Sequence, residues 1–239
     1  IVMIGWDKFS HLVSEELLKA EQQVVVITKN DAEASRINAN KHTQHLMVAL
    51  HSDLEEFGRL REVRIEEAQV VFLNLPTDRE KLVYLVKLRR VFPDLKIISP
   101  VSNANLKETF INAADVHPLS RDEVAAKIFA SHLFERDVAT LLSELLSPAV
   151  TDEDNDIQQY RVVSTNPFLG KSYGEAFAKL KIEHNVVLMG MSKRQEKGYR
   201  LLKNPPDNTL IAQNDYLIML MNGKAADTIE ELFGVGEGI

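Results

Sequence analysis

Gly5-Trp6-Asp7-Lys8-Phe9-Ser10 follows the first apolar run of the chain, where an α/β protein places its phosphate-binding turn. A dinucleotide fingerprint would put glycine at positions 5, 7 and 10, and of these only Gly5 is present. Asp7 stands where the backbone should approach a pyrophosphate. A carboxylate there repels phosphate, and its Cβ fills space that the motif keeps empty. The second run ends in Thr28-Lys29-Asn30-Asp31, so Asp31 can reach a ribose while Lys29 favours a phosphate. Asn74 to Thr77, after the fourth run, supply the opposite wall. The pattern reads as an altered nucleotide site, unsuited to tight NAD use in hydride transfer but open to a regulatory nucleotide.

No other constellation reads as catalytic. The chain has no cysteine, hence no disulfide, thiolate metal site or thiol nucleophile. Its seven histidines lack HExxH spacing, and the neighbours His42 and His45 have no evident third ligand. There is no G-x-S-x-G elbow and no Walker A loop. Pairs such as Glu15-Glu16, Glu55-Glu56 and Glu66-Glu67 fall on helical patterns and read as solvated faces. The acidic run Thr151-Asp152-Glu153-Asp154-Asn155-Asp156 lacks the glycine and the terminal glutamate of an EF-hand loop.

The elements that position the first site are short apolar runs: Ile1–Ile4, Val24–Ile27, Leu46–Leu50, Val70–Leu75 and Leu95–Ile98. Continuous Val, Ile and Leu mark parallel strands covered on both faces. Amphipathic stretches lie between them, so the pattern is repeated βαβ and the expected fold is a Rossmann-like, doubly wound parallel sheet. Ser120 is an expected N-cap, with Glu123 at the capping-box position. It opens a long helix carrying Val124, Phe129, Leu133, Leu141, Leu142 and Leu146, whose apolar arc is too wide for one surface. That helix is either a core helix or one that packs on a second subunit, and the second reading is preferred because the helix leaves the sheet. The expected divisions are 1–146 for this lobe, 147–159 for an acidic linker and 160–239 for a small α+β lobe with strands at Tyr160–Val163, Asn185–Met191 and Tyr216–Met221.

The 239 residues are 45% apolar and 26% charged, which excludes a disordered chain or a collagen. With 28 basic and 35 acidic residues the net charge is -7, which disfavours a nucleic-acid polymer as partner. No stretch has the length and apolarity of a membrane span. The chain opens within a core strand without an initiator Met, so it is expected to be a piece of a longer protein.

The order of motifs resembles the RCK (regulator of potassium conductance) domain of potassium channels and transporters. The resemblance is carried by Gly5-Trp6, by Ser52-Asp53-Leu54 where the family has Gly-Asp, and by Ile65-Glu66-Glu67-Ala68-Gln69-Val70-Val71. It continues in Pro76-Thr77-Asp78, Pro93-Asp94-Leu95-Lys96-Ile97-Ile98 and Ala113-Ala114-Asp115-Val116. Asn166-Pro167-Phe168-Leu169-Gly170-Lys171-Ser172, Asn204-Pro205-Pro206 and Asn214-Asp215-Tyr216-Leu217-Ile218 match its C-terminal lobe.

The resemblance implies a non-enzymatic, ligand-sensing gating module at the cytoplasmic face of a membrane. Homodimers would assemble into a ring beneath a potassium-channel pore encoded upstream or on a partner chain. Its cleft would be built from Gly5, Trp6, Asp7, Lys29, Asp31, Asp53, Asn74 and Thr77, holding an adenine nucleotide or NAD. Calcium-gated members place carboxylates at the ends of the fourth and fifth strands. The matching residues here are Asn74, Pro100 and Ser102, so that calcium site is expected to be absent. The alternatives are a soluble NAD-dependent oxidoreductase and a ligand-free interaction module.

Overall fold

In the computed structural model, which describes residues 1–114, 116–196 and 198–238, the apolar runs of the first half become parallel strands. These are β1 (Val2–Ile4), β2 (Val24–Thr28), β3 (Met47–His51), β4 (Val71–Leu73) and β5 (Ile97–Val101). A sixth strand, β6 (His117–Ser120), was not expected from the sequence; it pairs with β5 at one edge. Its residues alternate exposed and buried and include Pro118, a pattern tolerated only on an edge strand. The strand order β3-β2-β1-β4-β5-β6 is the doubly wound arrangement expected, with its switch point between β1 and β4.

Strands covered on both faces divide their residues between two cores. Val2 and Ile4 of β1 pack with Ile27, Leu73, Leu85 and Phe110. Met3 packs with Val24, Val26 and Met47 on the opposite face. The helices α1 (Lys8–Lys19), α2 (Asp31–Asn38), α3 (Phe57–Glu62), α4 (Asp78–Val91) and α5 (Lys107–Ala114) connect the strands. The sheet edge at β3 is blunted by Asn38, whose carboxamide donates to the Ala49 carbonyl (2.9 Å) and accepts the Ala49 N–H (2.7 Å).

The expected long helix is two helices, α6 (Arg121–Phe134) and α7 (Arg136–Leu145), broken at Glu135 (φ −136°, ψ 63°). Ser120 caps α6 by accepting the Glu123 N–H at 3.3 Å. Glu123 does not complete a capping box in return; its carboxylate pairs with Lys107. Of the family-like Ala113-Ala114-Asp115-Val116 segment, Asp115 lies outside the described residues.

The molecule divides into the units Ile1–Ala139 and Thr140–Ile239. The stretch 155–159, expected as linker, is the start of β7 (Asn155–Arg161). The acidic composition hid this strand: Asp156 and Gln158 face inward, where the Tyr160 hydroxyl donates to Gln158 and the Gln158 amide to Asp156 Oδ2 (3.2 Å), while Asp156 Oδ1 stays buried without a partner. The antiparallel sheet runs β7-β10-β8-β9, with β8 (Val187–Arg194), β9 (Tyr199–Lys203) and β10 (Tyr216–Asn222). Helices α8 (Tyr173–His184) and α9 (Gly223–Phe233) complete this unit, whose core holds Tyr160, Phe168, Tyr173, Met191, Met219, Met221 and Phe233.

One buried charge pair anchors α4. Lys81 and Asp78 lie 3.2 Å apart, with side chains only 1% and 9% exposed. Lys81 also donates to the Pro100 carbonyl (2.8 Å), while Asp78 accepts the backbone N–H groups of Ser102 and Asn103 (both 3.0 Å). Burial alone would raise the Asp78 carboxyl, but the Asn103 and Ser102 N–H groups and the Lys81 ammonium outweigh it and hold it low. A carboxylate depressed in the folded state stabilises above its ordinary range and loses that contribution as pH falls through the folded value. Asp78→Ala should therefore cost about 3 kcal/mol of stability at neutral pH, because it strands the Lys81 charge. Asp78→Asn should flatten the acid limb of the unfolding profile below about pH 4. Urea unfolding against pH, followed on the first unit, measures both.

Candidate functional site

Gly5 ends β1 with φ +88°, a conformation that side chains resist. A Cβ added there would sit 2.1 Å from the Asn74 carbonyl oxygen, so the ends of β1 and β4 approach closely only because this residue is glycine. The chain then turns into α1 with Asp7 as N-cap. Asp7 Oδ1 accepts the Ser10 N–H at 2.8 Å and the Asn74 side-chain amide at 2.7 Å. Asn74 also donates to Ser10 Oγ (2.9 Å), and Ser10 Oγ donates to the Gly5 carbonyl (3.2 Å). Partial burial pushes the Asp7 carboxyl up, but the Ser10 N–H, the Asn74 amide, the Ser10 hydroxyl and the Arg121 charge together bring it below the usual carboxylate range. The helix end that binds a phosphate in other Rossmann-like proteins is thus occupied by the chain's own carboxylate.

Beside this turn opens a cleft of about 1080 Å³. Of the expected site residues, Gly5, Trp6, Asp7, Lys29, Asp31 and Asn74 line it. Asp53 and Thr77 do not belong to its wall. Asp53 sits 3.4 Å from Lys29, and Thr77 caps α4, exchanging hydrogen bonds with Glu80 in a capping box. Asn74 turns its amide onto Asp7 and Ser10, while the Pro100 carbonyl and the Ser102 N–H, the other two positions aligned with the calcium site, are taken by Lys81 and Asp78.

The part of the cleft that the sequence did not reveal is one face of α4: Arg79, Glu80, Val83, Tyr84 and Lys87. The cleft is also lined by His51, the last residue of β3, and by Leu54 and Glu55 just after it. The α4 residues lie up to two turns inside a helix, beyond the strand ends where the topological rule points. Their helical periodicity was visible, but no motif marks them. Most charges here have partners within the chain: His51 is 3.5 Å from Asp31, Lys87 is 3.2 Å from Glu55, and Glu80 holds Thr77. Tyr84 stacks on Phe57 (ring centroids 5.5 Å apart) and is 6% exposed. Its hydroxyl is buried with no hydrogen-bond partner. An unsatisfied buried hydroxyl costs on the order of 1–3 kcal/mol. Burial, with the nearby Glu55 charge, raises the Tyr84 pKa far above the ordinary phenol value, so it is a neutral donor at any working pH.

Residues 1–118 match the model of the TrkA-N domain family. The human SLO3 gating ring superposes at TM-score 0.66 with 12% identity, the match covering 98% of this chain and 46% of that one. The GsuK RCK domain aligns at TM-score 0.43 with 16% identity, over 98% of this chain and 47% of that one. The TrkA-N domain of the Escherichia coli inner membrane protein ybaL aligns at TM-score 0.48 with 17% identity, over 56% of this chain and 95% of that one. This chain spans less than half the length of the SLO3 and GsuK chains. No curated protein sequence gives a match. Residues 1–118 thus resemble a TrkA-N domain, and the chain shares the fold of the SLO3 gating ring: a Rossmann-like sheet and a small lobe with an antiparallel sheet.

Two substitutions test the turn. Asp7→Ala removes an N-cap and should lower stability by about 1 kcal/mol. Gly5→Ala must leave the φ > 0 conformation and push the Asn74 carbonyl aside, so it should cost more than Asp7→Ala. Denaturant midpoints of the two variants, compared at one pH, give the order.

Proposed function

We propose that the chain is a ligand-sensing regulatory module, not an enzyme, which pairs into dimers and, in a ring at the cytoplasmic face of a membrane, controls a potassium-channel pore. The ring and the pore rest on the family resemblance. The observation that supports regulation most is the combination of a cleft at the switch point with a helix that no described residue covers. Helix α6 has no buried residue. Phe129, Leu133 and Phe134 are 70%, 89% and 74% exposed. On α7, Leu141 and Leu142 are also exposed. A helix this apolar on its open side is covered when a second copy supplies the same face, an isologous contact.

A ligand controls such an assembly only if it binds one arrangement of the paired modules more tightly than the other. That difference in binding free energy is the coupling. The Asp7 carboxylate at the head of α1 works against a dehydrogenase, whose cofactor needs that position for its pyrophosphate.

Sedimentation at micromolar concentration should show a dimer or larger. Phe129→Glu with Leu133→Glu should yield monomer, since each lost contact counts twice across a two-fold axis. Burial of about 2 kcal/mol per side chain makes the loss a hundredfold or more in association. A wild-type chain that sediments as a monomer would contradict the reading.

A further inference from the structure

The two sheets have four edges, and three of them are blunted or covered. Asn38 takes the N–H and the carbonyl of Ala49 on β3, and β6 carries Pro118, which has no N–H to offer. On β7 the Gln159 carbonyl accepts the Gly238 N–H at 2.8 Å. The fourth edge, β9, is exposed except at Leu202, and it has neither proline nor bulge. Its ladder with β8 fixes which groups are open. The Gln195 N–H donates to the Gly198 carbonyl (3.1 Å) and the Asn204 N–H to the Met189 carbonyl (3.2 Å), so these are bonded pairs. Bonded and non-bonded pairs alternate along an antiparallel ladder. Arg200 and Leu202 therefore bond to β8, while Tyr199, Leu201 and Lys203 direct their N–H and carbonyl groups away from it. Among the described residues no partner meets these outward groups.

The side chains add a charge. Residues 193–203 hold five basic residues and one acidic one, in a chain of net charge -7. Lys193 is paired with Asp215 (2.7 Å), and the Arg194 guanidinium lies over the Tyr199 ring (5.3 Å). Arg200 and Lys203 enter no ion pair among the described residues. Leu202 packs against the core of its unit, so Arg200 shares that face and Tyr199 and Leu201 stand on the other. Tyr199 meets Tyr216 edge to face at 5.1 Å, which extends the apolar surface onto β10.

We propose that β9 is a docking edge for an extended acidic peptide, which joins the small sheet as a fifth strand. The outward groups of Tyr199, Leu201 and Lys203 supply the ladder. Apolar side chains at every second position of the peptide lie beside Tyr199 and Leu201, and acidic ones beside Arg200. Two copies of β9 would bring Arg200 and Lys203 against their like, so the edge disfavours itself and selects the opposite charge. The site lies within the second unit and stands whether or not the cleft of the first unit takes a ligand.

Fluorescence titration of the intact chain reads the affinity, with a short labelled peptide of alternating glutamate and valine and with its lysine–valine counterpart. Amide exchange followed by NMR reads the place. The acidic peptide should bind more tightly at low salt than at high salt, and the lysine peptide about tenfold more weakly. Arg200→Gln combined with Lys203→Gln should weaken the acidic peptide about threefold or more. Both side chains are exposed, so the melting temperature should not change. Bound peptide should slow exchange at Tyr199, Leu201 and Lys203 and leave Arg200 and Leu202, already bonded to β8, as they were. Binding without that alternation overturns the proposal, since plain charge attraction needs no ladder. Equal affinity for the lysine peptide overturns the acidic assignment. Slowed exchange at the same three amides on raising the concentration of the chain alone would give the edge to a second copy and overturn the proposal. Failure of the acidic peptide to bind at millimolar concentration would do the same.

Discussion

The carboxylate of Asp7 is the contact on which the ligand end of the first unit depends. It caps α1 through the Ser10 N–H and clasps Asn74 at the end of β4, so that one oxygen ties together the neighbouring strands β1 and β4 at the switch point. Gly5 makes the tie geometrically available, since any Cβ there would strike the Asn74 carbonyl. The cost of this arrangement is chemical. A helix start that would attract an anion is neutralised from within.

Helix α4 joins the cleft to the core. Its inner face, with Leu85 and Leu88 fully buried, belongs to the main core. Its first turn is fastened by Asp78 and Lys81 to the segment after β5, and its outer face forms a wall of the cleft. A helix held on two sides by packing and buried hydrogen bonds gives that wall a rigid base. The same rigidity means that a ligand bound there acts on the β4–β5 side of the sheet and not on a loop free to absorb the change.

Much of this was legible in the sequence, for reasons that differ by element. The buried parallel strands announced themselves because both of their faces are apolar, so Val24–Thr28 and Ile97–Val101 read as continuous runs. The edge strands His117–Ser120 and Tyr199–Lys203 were silent, since an edge needs few apolar residues and β9 is largely exposed. The break at Glu135 carries neither proline nor glycine, so nothing in the pattern marked it. At the site, Gly5, Asp7, Lys29, Asp31 and Asn74 followed from the rule that ligands bind beyond the carboxyl ends of strands. Asp53 and Thr77 satisfied the same rule but spend their side chains on Lys29 and on the cap of α4. Arg79, Tyr84 and Lys87 escaped it because they sit within a helix, where spacing speaks of packing and not of chemistry. That the Tyr84 hydroxyl lacks a partner is a tertiary fact that no spacing encodes.

The central claim, that a small ligand enters the first unit between α4 and the segment after β3, is tested most directly by amide hydrogen exchange with and without saturating AMP. The account predicts slowed exchange in residues 51–57 and 74–87, with the small lobe's own sheet unchanged. Slowed exchange confined to the unit Thr140–Ile239, or none at any position, would contradict it.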